Sequence, residues 1–413
     1  MRQMKESGLP WIGVIPNHWK CIRGKYVLKY ISKPTREDDG VITCFRDGEV
    51  TLRSKRREEG FTMADKEIGY QGIDVGDLVV HGMDGFAGAI GISDSHGKAS
   101  PVLNVLDTEQ NKKYIMYFLR SLAYGDVFIA LATGIRVRSC DLRWNKLANL
   151  DYLIPPLDEQ KRIADFLDAK CIEIDNLIAD IEKQIESLEQ YRRSTIAESV
   201  TKGLNAQVEF KDSGLPWIGT IPSHWDAVRG KYVLKYITKP TREDDGVITC
   251  FRDGEVTLRS KRREEGFTMS DKEIGYQGID VGDLVVHGMD GFAGAIGISD
   301  SRGKASPVLN VLDTEQNKKY IMYFLRSLAY GDVFVALATG IRVRSCDLRW
   351  NKLANLVYLV PPIDEQKKIA DFLDEKCLEI NECIAQKEKQ IETLQNYKKS
   401  LIFEYVTGKK EVV

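Results

Sequence analysis

The chain repeats itself at one constant offset. The segment "SGLPWIGVIPNHW" that begins at Ser7 returns as "SGLPWIGTIPSHW" from Ser213, and the offset of 206 residues then holds without a gap to about Val200 and Val406. This period is far longer than the roughly 20 to 50 residues of a solenoid repeat. We therefore expect two copies of one globular domain, each with an attached segment, and 413 residues are enough for two such cores.

The first part of each copy mixes strand and helix patterns. "GVITCF", "GDLVVHG" and "GAIGIS" are short β-rich runs bounded by Gly, Asp or Ser, which is typical of strands. "NKKYIMYFLRSLAYGDVFIALAT" has the apolar spacing of a half-buried helix. We predict an α+β chain with two near-identical mixed α/β domains, at 1–154 and 206–360.

A long helix is predicted after each domain. The diproline at 155–156 cannot continue a strand ladder and favours a helix start, with Asp158 as the N-cap and Glu159 in the first turn. Apolar residues then recur at alternating steps of four and three, which predicts a heptad seam, a line of residues packed against another helix. The seam residues are Leu167, Cys171, Ile174, Ile178, Ile181, Ile185 and Leu188 in the first copy, and Leu373, Cys377, Ile380, Ile384, Lys387, Ile391 and Leu394 in the second.

The predicted partner of each long helix is the other one. The segments 155–205 and 361–413 would pair as an antiparallel coiled coil, with a domain at each end and approximate two-fold symmetry within the chain. The first helix, from Asp158 to about Lys202, would be about 65 Å long at ~1.5 Å per residue. Two separate helical hairpins are the alternative, and the sustained heptads argue against it. Lys387 stands where the first seam has Ile181. It either selects the register of the pairing or extends its amine into water, and both interpretations stay open.

The composition excludes several classes of protein. A net charge of -2 argues against a generally basic DNA coat, although it allows a local basic patch. No run approaches the roughly 18 apolar residues of a membrane span, and the first residues contain no apolar signal core, so we expect no leader and no membrane partner. The eight cysteines form no CxxC pair, which is typical of reduced thiols in a cytoplasmic protein.

No catalytic motif accompanies the repeat. The sequence has no GxxxxGK[ST] phosphate loop, and "IPPL" and "VPPI" lack the flanking residues of an NPPY-type amino-methyltransferase motif. The five His residues have no zinc-ligand spacing, and His81 and His287, in "HGMDG", fit turn residues better than catalytic bases. We expect a chain without a catalytic centre, a cofactor or a metal site.

Three phrases resemble the specificity subunit of type I restriction–modification systems. They are "LPWIGVIPNHW" at the head of each half, "TGIRVRSCDLRW" late in each domain and "IPPLDEQKRIADFL" at the start of each helix. The resemblance covers nearly the whole chain and occurs twice in the right order. It implies two target recognition domains, each recognising one half of a split DNA sequence. It also implies helices that bind two methyltransferase (modification) subunits, an assembly that can recruit restriction subunits, and no catalytic centre in the chain itself.

Sequence-specific binding needs side chains that reach base edges and cations that hold phosphates. The stretches "SKPTRED", "TLRSKRREEG", "HGMDGFAG" and "TGIRVRSCDLRW" supply such residues in both copies. The candidate DNA-binding residues are Lys33, Arg36, Arg53, Lys55, Arg56, Arg57, Asp84, Arg136, Arg138 and Arg143 in the first copy, and Lys239, Arg242, Arg259, Lys261, Arg262, Arg263, Asp290, Arg342, Arg344 and Arg349 in the second.

Each of these stretches has a structural alternative. The cations near Arg56 can belong to a solvated hairpin balanced by Glu58 and Glu59. Arg136 and Arg138 share one face of a strand, where an ion pair with Asp141 is the alternative to DNA contact. In "HGMDGFAG" the Asp would accept from a cytosine amino group, and the Met or Phe would contact a thymine methyl, but a plain turn fits equally well.

The two copies differ least where the family usually differs most. Positions 23–152 and 229–358 differ at five of 130 sites, Ser32/Thr238, Ala64/Ser270, His96/Arg302, Ile129/Val335 and Asp151/Val357, whereas 158–200 and 364–406 differ at sixteen of 43. In the usual family pattern the recognition domains differ and the helical regions are alike. Near-identical domains related by a two-fold axis should recognise one short half-site on opposite strands. We therefore expect a palindromic split target, with a half-site of about three to five base pairs, a spacer and the reverse complement.

Two other functions compete with DNA recognition. A self-associating coiled-coil scaffold, whose domains bind protein, would have the same helices, and a mobility-shift assay with DNA separates it from the first interpretation. An autonomous methyltransferase or nuclease is disfavoured by the missing motifs.

Overall fold

The computed structural model describes residues 2–56, 68–130, 142–262, 274–336 and 348–412. The strands of the first repeat are β1 Met4–Glu6, β2 Val14–Pro16, β3 Lys20–Arg23, β4 Lys29–Tyr30, β5 Ile42–Cys44, β6 Val50–Leu52, β7 Gln71–Ile73, β8 Leu78–His81, β9 Ile90–Ile92, β10 Gly97–Ala99, β11 Leu103–Asp107 and β12 Asp151–Ile154. Its α-helices are α1 Lys112–Tyr124, α2 Val127–Ala130, α3 Trp144–Asn149 and α4 Leu157–Lys202.

The second repeat has the same order of elements. Its strands are β13 Phe210–Asp212, β14 Thr220–Pro222, β15 Asp226–Arg229, β16 Lys235–Ile237, β17 Ile248–Cys250, β18 Val256–Leu258, β19 Gln277–Ile279, β20 Leu284–His287, β21 Ile296–Ile298, β22 Gly303–Ala305, β23 Leu309–Asp313 and β24 Val357–Val360. Its α-helices are α5 Lys318–Tyr330, α6 Val333–Ala336, α7 Trp350–Asn355 and α8 Ile363–Val406.

A four-stranded antiparallel sheet lies at the centre of each domain, in the order β4-β11-β8-β9 and β16-β23-β20-β21. Val79 pairs with Val105, and Leu78 pairs with Leu106. The two valines belong to one buried cluster and the two leucines to another, because successive residues of a strand point to opposite faces. Both faces are therefore covered, which explains why "DLVVHG" does not alternate with polar residues.

The predicted strands and helix of the domain are largely confirmed. "GVITCF", "GDLVVHG" and "GAIGIS" contain β5, β8 and β9. The side chain of Asn111 caps α1 by accepting from the Tyr114 N–H at 3.0 Å. The single helix expected over this stretch is broken after Tyr124, because Asp126 adopts a positive φ of 55° between α1 and α2.

The long helices begin one residue before the predicted cap. The N–H of Gln160 donates to the Pro156 carbonyl oxygen at 2.9 Å, so the first helical hydrogen bond already uses the second proline. Asp158 therefore lies in the first turn of α4 beside Glu159, and its prediction as the N-cap was wrong. Both carboxylates still lie at the positive end of the helix dipole.

The "EQ" of the repeated phrase fastens each helix to its domain. Gln160 is fully buried, and its Oε1 accepts from the Asn111 N–H at 2.9 Å, while its Nε2 donates to Gln110 Oε1 and the Pro155 carbonyl, both at 2.8 Å. Gln366 makes the same three bonds to Asn317, Gln316 and Pro361. The side chain that starts the helix thus also holds the residue that caps α1.

The neighbouring Glu159 joins the helix to the head of the repeat. Its Oε2 lies 2.8 Å from His18 Nε2, and its Oε1 accepts from Arg2. Burial alone would raise the pKa of Glu159, but the hydrogen bonds from His18 and Arg2 outweigh burial and hold this pKa below its ordinary value. Trp19 beside them is fully buried. The phrases "IPNHW" and "PPLDEQ" therefore form one packed joint.

The chain divides into two compact units, and each unit contains helix from both repeats. Unit 1 comprises 1–181 and 388–413, and unit 2 comprises 182–387. Each unit therefore holds one domain, the start of its own long helix and the end of the other repeat's helix. The domain and helix bounds predicted from the sequence motifs, near 155, 206 and 361, differ from this division into units and stay predictions.

The helices run antiparallel within each unit. In unit 1, Lys398 Nζ lies 2.7 Å from the Asp175 carboxylate. In the same unit, the ring of Tyr405, farther along α8, lies 4.5 Å from that of Phe166, which comes earlier on α4. In unit 2, Arg192 donates to Asn381 Oδ1 at 2.6 Å, and Lys387 donates to Gln184 Oε1 at 2.5 Å. At successive contacts the residue number rises along one helix and falls along the other, which confirms the predicted antiparallel pairing.

The heptad seam is confirmed as well. Leu167, Cys171, Ile174, Leu373 and Ile380 are buried. The remaining seam residues of both helices are half-buried, including Lys387. At the end of α8, Lys409 Nζ donates to the carbonyl oxygens of Ile12 and Val14 at 2.9 and 2.6 Å, which anchors the last residues of unit 1 to its first strands.

Replacing the buried glutamine should destabilise the joint. Gln160→Ala leaves the Asn111 N–H and the Pro155 carbonyl without their buried partner, so we expect a loss of roughly 2–4 kcal/mol in the free energy of unfolding. Urea unfolding followed by tryptophan fluorescence measures this. Gln190→Ala, at an exposed position of the same helix, is the control and should change little. Equal effects of the two substitutions would contradict the role of the joint.

Lys387 is expected to influence which helices pair. It is half-buried in the seam and bonds to Gln184 of the facing helix, so Lys387→Ile would make the seam uniformly apolar and should produce some intermolecular dimer. Size-exclusion chromatography with light scattering gives the mass, and Lys387→Arg, which keeps the charge, is the control. An unchanged mass for Lys387→Ile would remove the register hypothesis and leave a lysine that merely extends into water.

Candidate nucleic-acid interface

The β5–β6 hairpin presents the first group of predicted cations. Ile42 pairs with Leu52, and a 3-10 turn at Arg53–Lys55 follows. The side chain of Arg56, which follows this turn, reaches the hairpin tip. Its guanidinium lies 2.7 Å from Asp47 and 2.9 Å from Glu49. The guanidinium also lies 4.2 Å from the centre of the Phe45 ring. The carboxylates that balance Arg56 thus come from the hairpin itself.

The two cations that precede Arg56 point elsewhere. Arg53 Nε donates to Thr43 Oγ1 at 3.1 Å, across the hairpin. Lys55 Nζ donates to Ser95 Oγ at 2.9 Å and lies 3.3 Å from Asp94. Arg259 and Lys261 of the second copy make the equivalent contacts. Of the described cations in this stretch, Arg56 and Arg262 are therefore the ones at the tip.

The loop between β8 and β9 contains Asp84 and is rigidly built. His81 Nδ1 accepts from the backbone N–H groups of Met83 and Asp84 at 3.2 and 2.9 Å, so this ring nitrogen carries no proton. Burial lowers the pKa of His81 below its ordinary value and outweighs the nearby Asp84, which raises it. His81 ends β8, and its side chain makes the loop contact that the sequence indicated. Met83 projects from the loop with 59% of its surface exposed.

Asp84 is held by an arginine that sequence reasoning missed. Arg46 lies at the hairpin tip and donates to Asp84 Oδ1 at 2.9 Å, and Arg252 contacts Asp290 in the same way at 2.8 Å. Gly88 permits this approach, because its φ is +97° and a Cβ there would lie 2.8 Å from the Arg46 carbonyl oxygen. The signal that could have found Arg46 is its position just before the "DG" of a hairpin turn.

The end of the "TGIRVRSCDLRW" stretch is bonded to the same loop. The N–H of Leu142 donates to the Gly82 carbonyl at 2.8 Å, and the Leu142 carbonyl accepts from the buried Asn104 at 3.0 Å. Arg143 follows directly and precedes the first residue of α3. The structure therefore brings parts of three predicted stretches together in a tip cluster, which consists of Arg46, Arg56, Met83, Asp84 and Arg143, with Arg252, Arg262, Met289, Asp290 and Arg349 as its second copy.

Helix α1 holds the hairpin tip in place through Arg120. Arg120 donates through Nε to the Ile90 carbonyl at 2.7 Å and through Nη2 to the Gly48 carbonyl at 2.9 Å. One guanidinium thus ties the hairpin tip to β9. Arg326 repeats both bonds in the second copy. Hydrogen bonds of this kind keep the loops of the tip cluster in one arrangement, as a recognition surface requires.

Lys33 and Arg36 bond to aspartates that are not part of the tip cluster. Lys33 Nζ is enclosed by Asp74 and Asp77 at 2.7 and 2.6 Å, and its counterpart Lys239 by Asp280 and Asp283 at 2.9 and 2.6 Å. Arg36 has an exposed side chain, and Arg242 lies 3.9 Å from Asp280. These residues stay predictions as phosphate contacts, but the double ion pairs of Lys33 and Lys239 favour a structural role.

Six predicted contact residues lie outside the described residues. They are Arg57, Arg136, Arg138, Arg263, Arg342 and Arg344. The segment that contains Arg136 and Arg138 returns to the described chain at Leu142, which is bonded to the loop of the tip cluster.

The described arginines at the hairpin tip form ion pairs with carboxylates of their own domain. Arg46 and Arg56 each face a carboxylate, and 69% and 36% of their side-chain surfaces are exposed. Exposed ion pairs contribute only about 0–1 kcal/mol, so an incoming phosphate can replace a carboxylate at little cost. Asp84 and Met83 beside these cations offer a hydrogen-bond acceptor and an apolar contact, the two chemistries that distinguish base edges in the major groove.

Among the described residues, no group of three His, Cys, Asp or Glu side chains could hold a metal ion. No described helix is long and apolar enough to cross a membrane. The described cysteines are free thiols: Cys21, Cys44, Cys171, Cys250, Cys377 and Cys383.

No family model matches the chain, but curated relatives do. The putative type I restriction enzyme MjaX specificity subunit of Methanocaldococcus jannaschii is 27% identical over 234 residues, which cover 52% of this chain and 53% of the relative. The type I restriction enzyme MjaVIII specificity subunit of the same organism is 25% identical over 431 residues, 96% of this chain and 94% of the relative. The chain thus spans about half the length of the first relative and nearly all of the second.

One solved structure shares the architecture. A chain from work described as the structural basis of complex assembly and conformational transition of the type I R-M system has a TM-score of 0.69 and 14% identity, covering 96% of this chain and 99% of its own length. At this identity the likeness shows the fold alone. The crystal structure of the HsdS subunit from Thermoanaerobacter tengcongensis has a TM-score of 0.47 and 16% identity, covering 96% of this chain and 98% of its own length.

If the tip cluster contacts phosphates, removal of Arg56 should weaken the salt dependence of DNA binding. For Arg56→Ala we expect a several-fold loss of affinity for a mixed-sequence duplex at low salt, and a slope of log K against log salt that is smaller by about 0.9. Fluorescence anisotropy at several salt concentrations gives both values. Lys29→Ala removes the same charge from an exposed pair with Glu109 outside the cluster. Equal changes for both variants would argue against the tip cluster.

Proposed function

We propose that the chain is a specificity subunit of a type I restriction enzyme, as its curated relatives are, and that it recognises a split, palindromic DNA target. Each domain would recognise one half-site through its tip cluster, and the paired helices would set the spacing between the half-sites. The observation that carries the proposal is the end-to-end match to a specificity subunit, over 96% of this chain, in a chain whose two domains are nearly identical.

The palindrome is supported by the identity of the two tip clusters. The Arg46–Asp84 pair measures 2.9 Å and Arg252–Asp290 2.8 Å. Arg56 and Arg262 both lie 2.7 Å from the aspartate of their own hairpin. Surfaces with the same residues in the same geometry prefer the same bases, and two copies related by a two-fold axis apply that preference to opposite strands.

Between 23–152 and 229–358, charge changes at His96/Arg302 and at Asp151/Val357, and neither position belongs to the tip cluster. His96 lies 3.0 Å from Asp39 and 2.7 Å from Asp74, whereas Arg302 lies 2.6 Å from Asp244 and 3.2 Å from Asp245. Both side chains are occupied with carboxylates of their own domain. These substitutions therefore leave the expected half-site the same in both domains.

The partners follow from this role. We propose that the chain binds double-stranded DNA and two methyltransferase subunits, that the assembly can add restriction subunits, and that the chain contributes specificity without catalysis. The formal charge of -2 and the paired arginines support weak DNA affinity for the isolated chain, so the methyltransferase subunits would supply much of the phosphate contact. The free thiols among the described residues support a cytoplasmic location.

Mapping the methylated adenines in DNA modified by the assembled enzyme tests the palindrome. We expect one short half-site, a spacer of fixed length and the reverse complement of that half-site. Two unrelated half-sites would overturn the proposal.

A substitution in one domain provides a second test. Asp290→Ala removes the acceptor of the second tip cluster alone, so we expect relaxed specificity at one half of the target and an intact other half. His96→Arg makes the two domains still more alike and should leave the mapped target unchanged. Equal relaxation of both halves by Asp290→Ala would contradict the assignment of one domain to each half-site.

A further inference from the structure

The C-terminal ends of the two long helices differ on the face that packs against the domain. Thr195 and Ser199 of α4 correspond to Leu401 and Tyr405 of α8 at the offset of 206. Residues four apart in a helix are neighbours on one face, so the two differences remove apolar volume from a single place. In unit 2 that place should be less filled than in unit 1.

Unit 1 is filled at this position. The ring of Tyr405 lies 4.5 Å from the ring of Phe166, at an angle of 39° between the planes. Leu401 next to it is only 3% exposed. Phe166 and Tyr405 both pack against the main core of the unit.

Unit 2 has an open cavity at the equivalent position. Phe372 is the counterpart of Phe166, but Ser199 stands where Tyr405 would be. The cavity has a volume of about 450 Å³, and Tyr191, Thr195, Ser199, Leu204, Phe210 and Phe372 are among the residues that line it. Three of its apolar walls face water, since Tyr191, Leu204 and Phe210 are 57%, 46% and 42% exposed.

We propose that this cavity receives one tyrosine-type side chain of a methyltransferase subunit, a proposal that rests on the function proposed above. Unit 1 shows which group fits, because the ring of Tyr405 occupies the equivalent position there, against Phe166, the counterpart of Phe372. Apolar cavities of about 150 Å³ already bind a benzene ring, so the volume is sufficient. Glu198, Lys202 and Asn205 also line the cavity and provide polar partners for a phenol hydroxyl.

A protein partner fits the surroundings better than a small metabolite. The aromatic and aliphatic walls of the cavity are exposed to water beside polar residues, and exposed apolar surface with a polar edge is typical of protein interfaces. An aromatic anchor in a pocket is also the usual centre of such an interface. Because unit 1 already fills its position with Tyr405, the two methyltransferase subunits should bind with unequal affinity, and unit 2 should be occupied first.

The probe for the cavity is 4-methylphenol, which has the ring and hydroxyl of tyrosine. Saturation-transfer NMR on the full chain should detect its binding, and Ser199→Tyr should reduce that binding at least about tenfold because the introduced ring fills the space. Thr195→Leu fills the cavity from the neighbouring turn and serves as an independent second variant. Ser187→Tyr places the same ring at an exposed position of α4 and should leave binding unchanged. Absent binding to the unsubstituted chain, or equal binding to Ser199→Tyr, would overturn the proposal.

The partner is tested with the methyltransferase subunit itself. Calorimetric titration of the unsubstituted chain should show two sites of unequal affinity, and Ser199→Tyr should weaken the tighter site by about tenfold or more while sparing the other. The methyltransferase subunit should also displace 4-methylphenol. If the subunit binds both variants alike, the proposal fails although the proposed function stands. If it binds neither chain, the proposed function itself fails.

Discussion

The buried glutamine at the start of each long helix is the contact on which the arrangement depends. Gln160 satisfies the residue that caps α1, the preceding proline and a neighbouring glutamine in one place. A buried amide is costly to leave unpaired, so the helix can leave the domain in only one direction. Glu159 adds a second link, from the same turn to the head of the repeat. Two phrases far apart in the sequence are thus conserved between the copies because they meet in the fold.

Much of the fold could be predicted from the sequence because its signals are periodic or repeated. The offset of 206, the heptads and the short β-rich runs led to two domains and two antiparallel helices. The start of α4 was predicted incorrectly, because the Pro156 carbonyl accepts the first helical bond and makes the polar Asp158 unnecessary as a cap. The break between α1 and α2 at Asp126 was not predicted, because a positive φ at a non-glycine residue leaves no reliable pattern in the sequence.

The candidate site was harder to predict for a physical reason. Charge shows which residues can meet a phosphate, but not which carboxylates they meet in the folded domain. Lys33 looked like Arg56 in the sequence, yet it is enclosed by two aspartates, while Arg56 lies at an exposed tip. Arg46 was missed because its partner Asp84 is 38 residues away and comes close only through the packing of two loops.

The exchange of helix ends between the repeats has a consequence for the order in which the protein is made. Unit 2 is one continuous stretch, 182–387, whereas unit 1 needs 388–413 as well as 1–181. At ~5–20 residues per second, a ribosome takes roughly 10–40 s to add the 206 residues between the two parts of unit 1. The domain that leaves the ribosome first is therefore the last to be completed, and it waits with its helix-binding surface uncovered until the final turn of α8 arrives.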